Sequence, residues 1–225
     1  MVAQIADEGV DISAIRRVAG TRSGFSSIFM DLRGERIIVP QYDPALRAAP
    51  DALPVLDSVE VVSTDVRWPG AAAMALRAAA ERGIPGLLDL DTGPVEVLER
   101  LLPLASHVAA SEGGAALVTG EHDPATATEA LARRHDGFVC VTAGAAGCFW
   151  YDRAAARVRH VAAPQVEAID TLSAGGVFHG VGLAEGWPVE RTLAFASAAA
   201  AIKCTRFGGR LGAPTRAEVE ALLAA

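Results

Sequence analysis

The sequence is poor in the features that would set it apart from ordinary globular proteins. Aromatic residues make up only 5% of it, and its three cysteines, Cys140, Cys148 and Cys204, are scattered with no C-x-x-C spacing. An odd, dispersed set excludes a disulfide framework, a zinc knuckle and a redox pair, so reduced and mostly buried thiols are expected. The histidines, His107, His122, His135, His160 and His179, show no H-E-x-x-H or related spacing, and no metal site is expected. No apolar run reaches the roughly 18 to 20 residues that cross a bilayer, and the first residues lack the charged-then-apolar order of a secretory leader. The expectation is a cytoplasmic protein without a membrane partner. Positive charge is in deficit as well. A formal net charge of -7 is repelled by nucleic acid and anionic lipid at long range, which argues against either as a general partner.

What the sequence does have is apolar content, 51% against 21% charged, with many alanines and a length of 225 residues, enough for one sizeable core. A single domain over residues 1–225 is expected. The opening MVAQIADEGVDIS reads as the tail of a helix stopped at Gly9. Ser26 to Leu32 and Arg36 to Val39 flank Asp31-Leu-Arg-Gly34 as a hairpin, and Pro40, Pro44, Pro50 and Pro54 mark a loop after it.

From about Val59, short apolar runs alternate with longer helical segments, the pattern of β-α-β units and a parallel sheet. Strands are expected at Val59 to Ser63, Gly86 to Leu90, His107 to Ala110, Phe138 to Thr142, Cys148 to Tyr151 and Arg157 to Val161. A helix should begin at Pro69, bury Ala73, Leu76 and Ala80, and stop at Gly83. Pro94 to Leu104 should be helical, Ala115 to Val118 a turn of helix ended by Gly120, and Asp123 the cap of a helix begun by Pro124. Three helices close the chain: one after Asp170 to Gly176, one from Pro188 to about Arg206, and one opened by Thr215 and Glu218 at capping-box spacing.

A turn of small residues that opens a helix presents free backbone N–H groups and the positive end of the helix dipole, a combination that binds phosphate. Asp170-Thr-Leu-Ser-Ala-Gly-Gly176 has that form, although such a turn alone is more often a tight strand-to-helix connection. Its context adds more. The segment DTLSAGGVFHG resembles the D-T-x-G-A-G-D-x-F-x-G signature of the ribokinase-like (PfkB) carbohydrate kinases, matching at Asp170, Thr171, Ala174, Gly175, Phe178 and Gly180. Upstream, Val141 to Gly147 (VTAGAAG) resembles the family's T-x-G-x-x-G segment beside the nucleotide. Downstream, FASAAAAIKCTRFGGRLGAPTRAEV resembles its closing alanine-rich helix, small-residue turn and final helix.

The resemblance implies a three-layer Rossmann-like α/β fold, a mainly parallel sheet with helices on both faces, and a small β lid at 24–39. It implies ATP with Mg2+, and phosphoryl transfer to a hydroxyl of a small sugar or sugar derivative. Thr142, Gly144, Gly147, Asp170, Thr171, Ser173 and Gly208 are the implied nucleotide-side residues, while Ala174 and Gly175 belong to the anion hole. In usual family members a first strand, a Gly-Gly loop and further elements precede the counterpart of Met1, so an exposed strand edge is expected, and with it either a homodimer or a poorly stable monomer. A dinucleotide-binding reading is disfavoured, since no G-x-G-x-x-G follows a first strand.

Three departures matter. Gly176 stands where the family keeps the aspartate that accepts the sugar proton, and Ser173 replaces the first glycine of the turn. The N-x-x-E pattern that organises magnesium and phosphate becomes Ser111 and Gly114, with Glu112 read as a solvated neighbour. Impaired kinase activity is therefore expected, with a non-catalytic nucleotide- or sugar-binding relative as the alternative. Asp65, Arg67, Asp89 and Asp91, at the ends of two strands, are weaker candidates. Arg206, Arg210 and Lys203 are read as surface residues.

Overall fold

The computed structural model describes residues 2–30, 36–171 and 180–224. A short helix, α1 (Val2–Ala6), precedes an antiparallel hairpin of β1 (Phe25–Met30) and β2 (Arg36–Gln41). The hairpin forms its own two-stranded sheet. It leaves Phe25, Ile28, Phe29, Ile37, Ile38 and Val39 exposed, Ile37 by 68%.

The body is a six-stranded sheet of β3 (Val62–Asp65), β4 (Gly86–Leu90), β5 (His107–Ser111), β6 (Phe138–Thr142), β7 (Cys148–Asp152) and β8 (Arg157–Val161), adjacent in that order. The first four strands run parallel and the last two join antiparallel. Gly-Leu-Leu-Asp-Leu in β4 shows why the sheet lies inside: its leucines are apolar on both faces, as a strand covered on two sides requires. Leu88 and Leu90 are fully buried towards one layer, and Leu87 is buried towards the other.

Helices α2 (Pro69–Arg82), α3 (Val95–Leu101), α4 (Glu112–Thr119) and α5 (Pro124–Arg134) cover the Leu88 face through Leu76, Leu98, Leu101, Ala115 and Leu131. On the opposite face, α6 (Gly180–Ala184) and α7 (Val189–Cys204) bring Leu183 and Leu193 against Leu87, Ala109 and Cys140. Helix α8 (Arg216–Leu223) packs beyond α7 through Val219. The α/β three-layer expectation therefore holds. No helix among the described residues is long and apolar enough to cross a membrane.

The strongest local signals hold. Gly83 and Gly120 end α2 and α4 with φ of 66° and 78°, Asp123 accepts the Thr126 amide N–H at 2.8 Å, and Thr215 with Glu218 closes a capping box. Three details differ. Strand β3 begins at Val62, because the Val59 amide N–H is taken by the Leu56 carbonyl in a turn. The buried stripe of α2 is Ala72, Leu76 and Ala79, while Ala80 faces solvent; Leu76 fixes the phase and i±4 and i±3 set its neighbours. Helix α4 begins at Glu112, earlier than expected, because the Ser111 hydroxyl accepts the Gly114 amide N–H and starts it across two glycines.

Candidate functional site

The C-terminal ends of the parallel strands collect the polar residues singled out above: Asp65 at the end of β3, Asp91 after β4, Ser111 at the end of β5 and Thr142 at the end of β6. In open α/β sheets ligands bind at this edge, where connections leave a crevice.

One part of the site is built around the β6–β7 connection. The Thr142 hydroxyl donates to the Ala110 carbonyl at 3.2 Å and ties β6 to β5. A tight turn follows, with the Ala143 amide N–H donating to the Gly147 carbonyl at 2.7 Å. Gly147 adopts a φ of 95°, and a Cβ on it would fall 2.2 Å from the Val161 carbonyl oxygen, so only glycine lets β7 start beside β8. Gly144 also has positive φ but opens onto free space.

A cavity of about 220 Å3 lies between this turn, the extended segment 163–168 and α7. Thr142, Gly144, Gly147 and Thr171 line it, joined by Cys148, by Ala163, Pro164, Gln165, Val166 and Ala168, and by Ser197, Ala200, Ala201 and Cys204. Gln165 donates through Nε2 to the Ala145 carbonyl at 3.4 Å, which holds the segment against the turn. Among the described residues, no carboxylate, imidazole or ammonium lines the cavity. Such walls suit a flat, largely apolar group held by dispersion and a few backbone polar atoms.

Asp170 and Gly208 stand beside the cavity and meet each other, the Gly208 amide N–H donating to the Asp170 carboxylate at 3.0 Å. Lys203 corrects its expected place. It lies in the interior with no exposed side-chain surface, and its Nζ donates to the Asp170 carbonyl at 2.7 Å. Lys203 lies on the side of the last turn of α7 that the following loop covers at Gly212, while Ile202 and Cys204 stay half-buried. Ser173, Ala174, Gly175 and Gly176 lie outside the described residues, as does Phe178.

The second part holds the acidic candidates. Arg67 lies 2.6 Å from the Asp91 carboxylate, and the Asp65 carboxylate accepts the Arg67 amide N–H at 2.8 Å. Burial, followed by repulsion from Asp91 and Asp65, pushes the Asp89 carboxyl up to about 6, with Arg67 opposing. The Ser111 hydroxyl donates to Asp91 at 3.0 Å while accepting the Gly114 amide N–H at 3.0 Å. Glu112 is exposed. Arg206 pairs with Glu218, and Arg210 with Glu8, both at the surface. Among the described residues, no group of three or more His, Cys, Asp or Glu could hold a metal ion.

The sequence profile of the pfkB family carbohydrate kinases matches residues 1–216. The chain belongs to that family. Ribokinase of Haemophilus influenzae is 31% identical over 154 residues, 64% of this chain and 49% of that enzyme. The match thus spans about half the length of that relative. Among solved structures, a protein from Agrobacterium tumefaciens assigned to the ribokinases superposes with a TM-score of 0.91 at 41% identity, over 99% of this chain and 75% of its own. Arabidopsis thaliana ribokinase complexed with ribose and ATP superposes at 0.79 and 22% identity, over 96% of this chain and 74% of its own, which is a likeness of fold.

The family motifs account for Thr142, Gly144, Gly147 and Thr171 at the cavity. They do not account for the segment 163–168, whose only sequence signal is Pro164 after the last strand, nor for Cys148.

Proposed function

We propose that this PfkB-family chain binds an adenine nucleotide in the cavity between the 143–147 turn and α7, and that it is a sugar kinase with weakened phosphoryl transfer. One observation carries this reading: residues from two separate family motifs, Thr142, Gly144 and Gly147 from one and Thr171 from the other, line a single cavity beside α7. The ATP held by the Arabidopsis ribokinase of the same fold supports it.

In this reading the ring lies in the cavity and the phosphates reach towards Asp170, Thr171, Ser173 and Gly208. The backbone N–H groups of Ala174, Gly175 and Gly176 stabilise the moving phosphoryl group, since positioning and electrostatics supply most of the catalysis in such transfers. Gly176 has no side chain to accept the sugar proton, and general-base help worth about 10²- to 10⁴-fold is lost. Residues 1–225 act as one domain, with 24–39 as a lid over a small sugar.

The residues at 111 and 114 do not fit a protein-held magnesium. The Ser111 hydroxyl is engaged by Asp91 and Gly114, and a Cβ on Gly114 would meet the Leu90 carbonyl oxygen at 2.0 Å. Mg2+ would therefore enter with the nucleotide. That same close packing favours the second reading, a relative that binds nucleotide or sugar without turning it over.

Calorimetric titration with ATP and ADP tests the nucleotide site. The parent chain should bind. Ala200→Leu, which extends a cavity-lining side chain, should weaken binding at least about tenfold, or 1.4 kcal/mol, with an unfolding temperature equal to or above the parent's. No binding by the parent, or equal binding by Ala200→Leu, sinks the proposal. ADP formation with a panel of sugars then separates a slow kinase from a binder.

A further inference from the structure

Lys203 is the largest fully buried side chain among the described residues. An ammonium taken out of water needs several compensating partners, and an ion pair in that setting is a poor stabiliser compared with apolar packing. What such a pair supplies is direction. Lys203 Nζ donates to the Asp170 backbone carbonyl at 2.7 Å and lies 3.4 Å from the Asp170 carboxylate. That carboxylate also accepts the Gly208 amide N–H at 3.0 Å. The Cys204 carbonyl in turn accepts the amide N–H groups of Ile169 at 2.7 Å and Asp170 at 3.1 Å.

Two stretches distant in sequence therefore meet at one ammonium: residues 169–171, and the last turn of α7 with the loop at 205–209 that follows it. The lysine sits at the C-terminal end of α7, where the helix dipole favours a cation. The loop closes over its stem, since a Cβ on Gly212 would come 3.4 Å from Lys203 Cε. The neighbours of this junction on either side, Thr171 and Cys204, both line the cavity.

We propose that Lys203 is a positioning residue: its ammonium clamps Asp170, and with it the 169–171 turn, against the end of α7, and so sets the width of the cavity. The inference rests on the reading of that cavity as a nucleotide site. It assigns the lysine no contact with the nucleotide and no role in moving a proton.

Lys203→Met and the double variant Lys203→Met/Asp170→Asn separate clamping from plain stabilisation. Met keeps the length of the stem and removes the ammonium beside the Asp170 carboxylate, so unfolding temperature should fall. The double variant neutralises that carboxylate as well and should recover much of the loss. ADP affinity should stay about tenfold or more below the parent in both variants. Amide exchange in peptides covering 168–171 and 205–209 should be faster in both, without nucleotide present. Recovery of ADP affinity along with stability, or unchanged exchange in the folded double variant, overturns the clamp. If the parent binds no ADP, the nucleotide reading fails, while the exchange rates still decide whether Lys203 holds the turn.

Discussion

Gly114 lies so close to Leu90 that a Cβ built on it would fall 2.0 Å from the Leu90 carbonyl oxygen. Helix α4 thus rests on the end of β4 at backbone distance, and any side chain at this position must lift it. Gly114→Ala is expected to destabilise the fold by about 1–3 kcal/mol or more, the usual range for overpacking. Gly114→Glu should cost at least as much, so the glutamate of the family pattern cannot be restored by one substitution. Urea denaturation measures both; a Gly114→Glu protein as stable as the parent would show that α4 moves freely off β4.

Asp89 gives the fold a pH signature. Its carboxyl is raised to about 6 by burial and by Asp91 and Asp65, whereas an unfolded aspartate titrates near 3.8. Between those values the folded state holds a proton that the unfolded state has lost. Stability from this group therefore rises as pH falls from about 7 towards 4, and is lost as pH rises through about 6. Asp89→Asn should flatten that part of the profile and raise stability at pH 7 by on the order of 2 kcal/mol. Identical pH profiles for variant and parent would remove Asp89 as the source.

Gly176→Asp tests the assigned place of the missing base. In the proposed reading position 176 opens the following helix, whose dipole would favour a carboxylate placed near the attacking sugar hydroxyl. Sugar-dependent ADP formation should rise by about 10²-fold or more. If the variant binds ATP and sugar and its turnover is unchanged, position 176 does not carry that role.

The β1–β2 hairpin should drive self-association. Phe29 and Ile37 pair directly across the two strands, with 62% and 68% of their surface exposed, and apolar area of this kind usually meets a partner. Sedimentation should detect a dimer whose population grows with concentration. Phe29→Ser/Ile37→Ser should shift it towards monomer; a parent chain that stays monomeric throughout and melts in an ordinary cooperative transition would contradict the expectation.

The framework of the fold is legible because its signals are local. Gly83, Gly120, Asp123 with Pro124, and Thr215 with Glu218 mark helix ends by conformational freedom and capping chemistry, which depend on neighbours in sequence. Helix α4 is half hidden, since Gly113 and Gly114 are poor helix formers. Tertiary contact explains them, as Cβ atoms there would strike Thr92 and Leu90. The candidate site is legible where glycine and threonine repeat in a family pattern, at Thr142, Gly144, Gly147 and Thr171. It is illegible at 163–168, an extended segment with no period of its own. Lys203 misleads for a related reason: charge on a helix points to solvent unless the enclosure of that helix is known.

The alanines of α7 have an evolutionary consequence. Ala200 and Ala201 leave empty the space that larger side chains would fill, and that emptiness is part of the cavity. Valine or leucine at either position would remove more apolar surface from water, at about 25 cal/mol per Å2. A library of variants ranked by heat resistance would therefore favour occluded pockets, and a lineage released from the need to bind would be free to drift the same way. At these two positions robustness and ligand capacity pull in opposite directions.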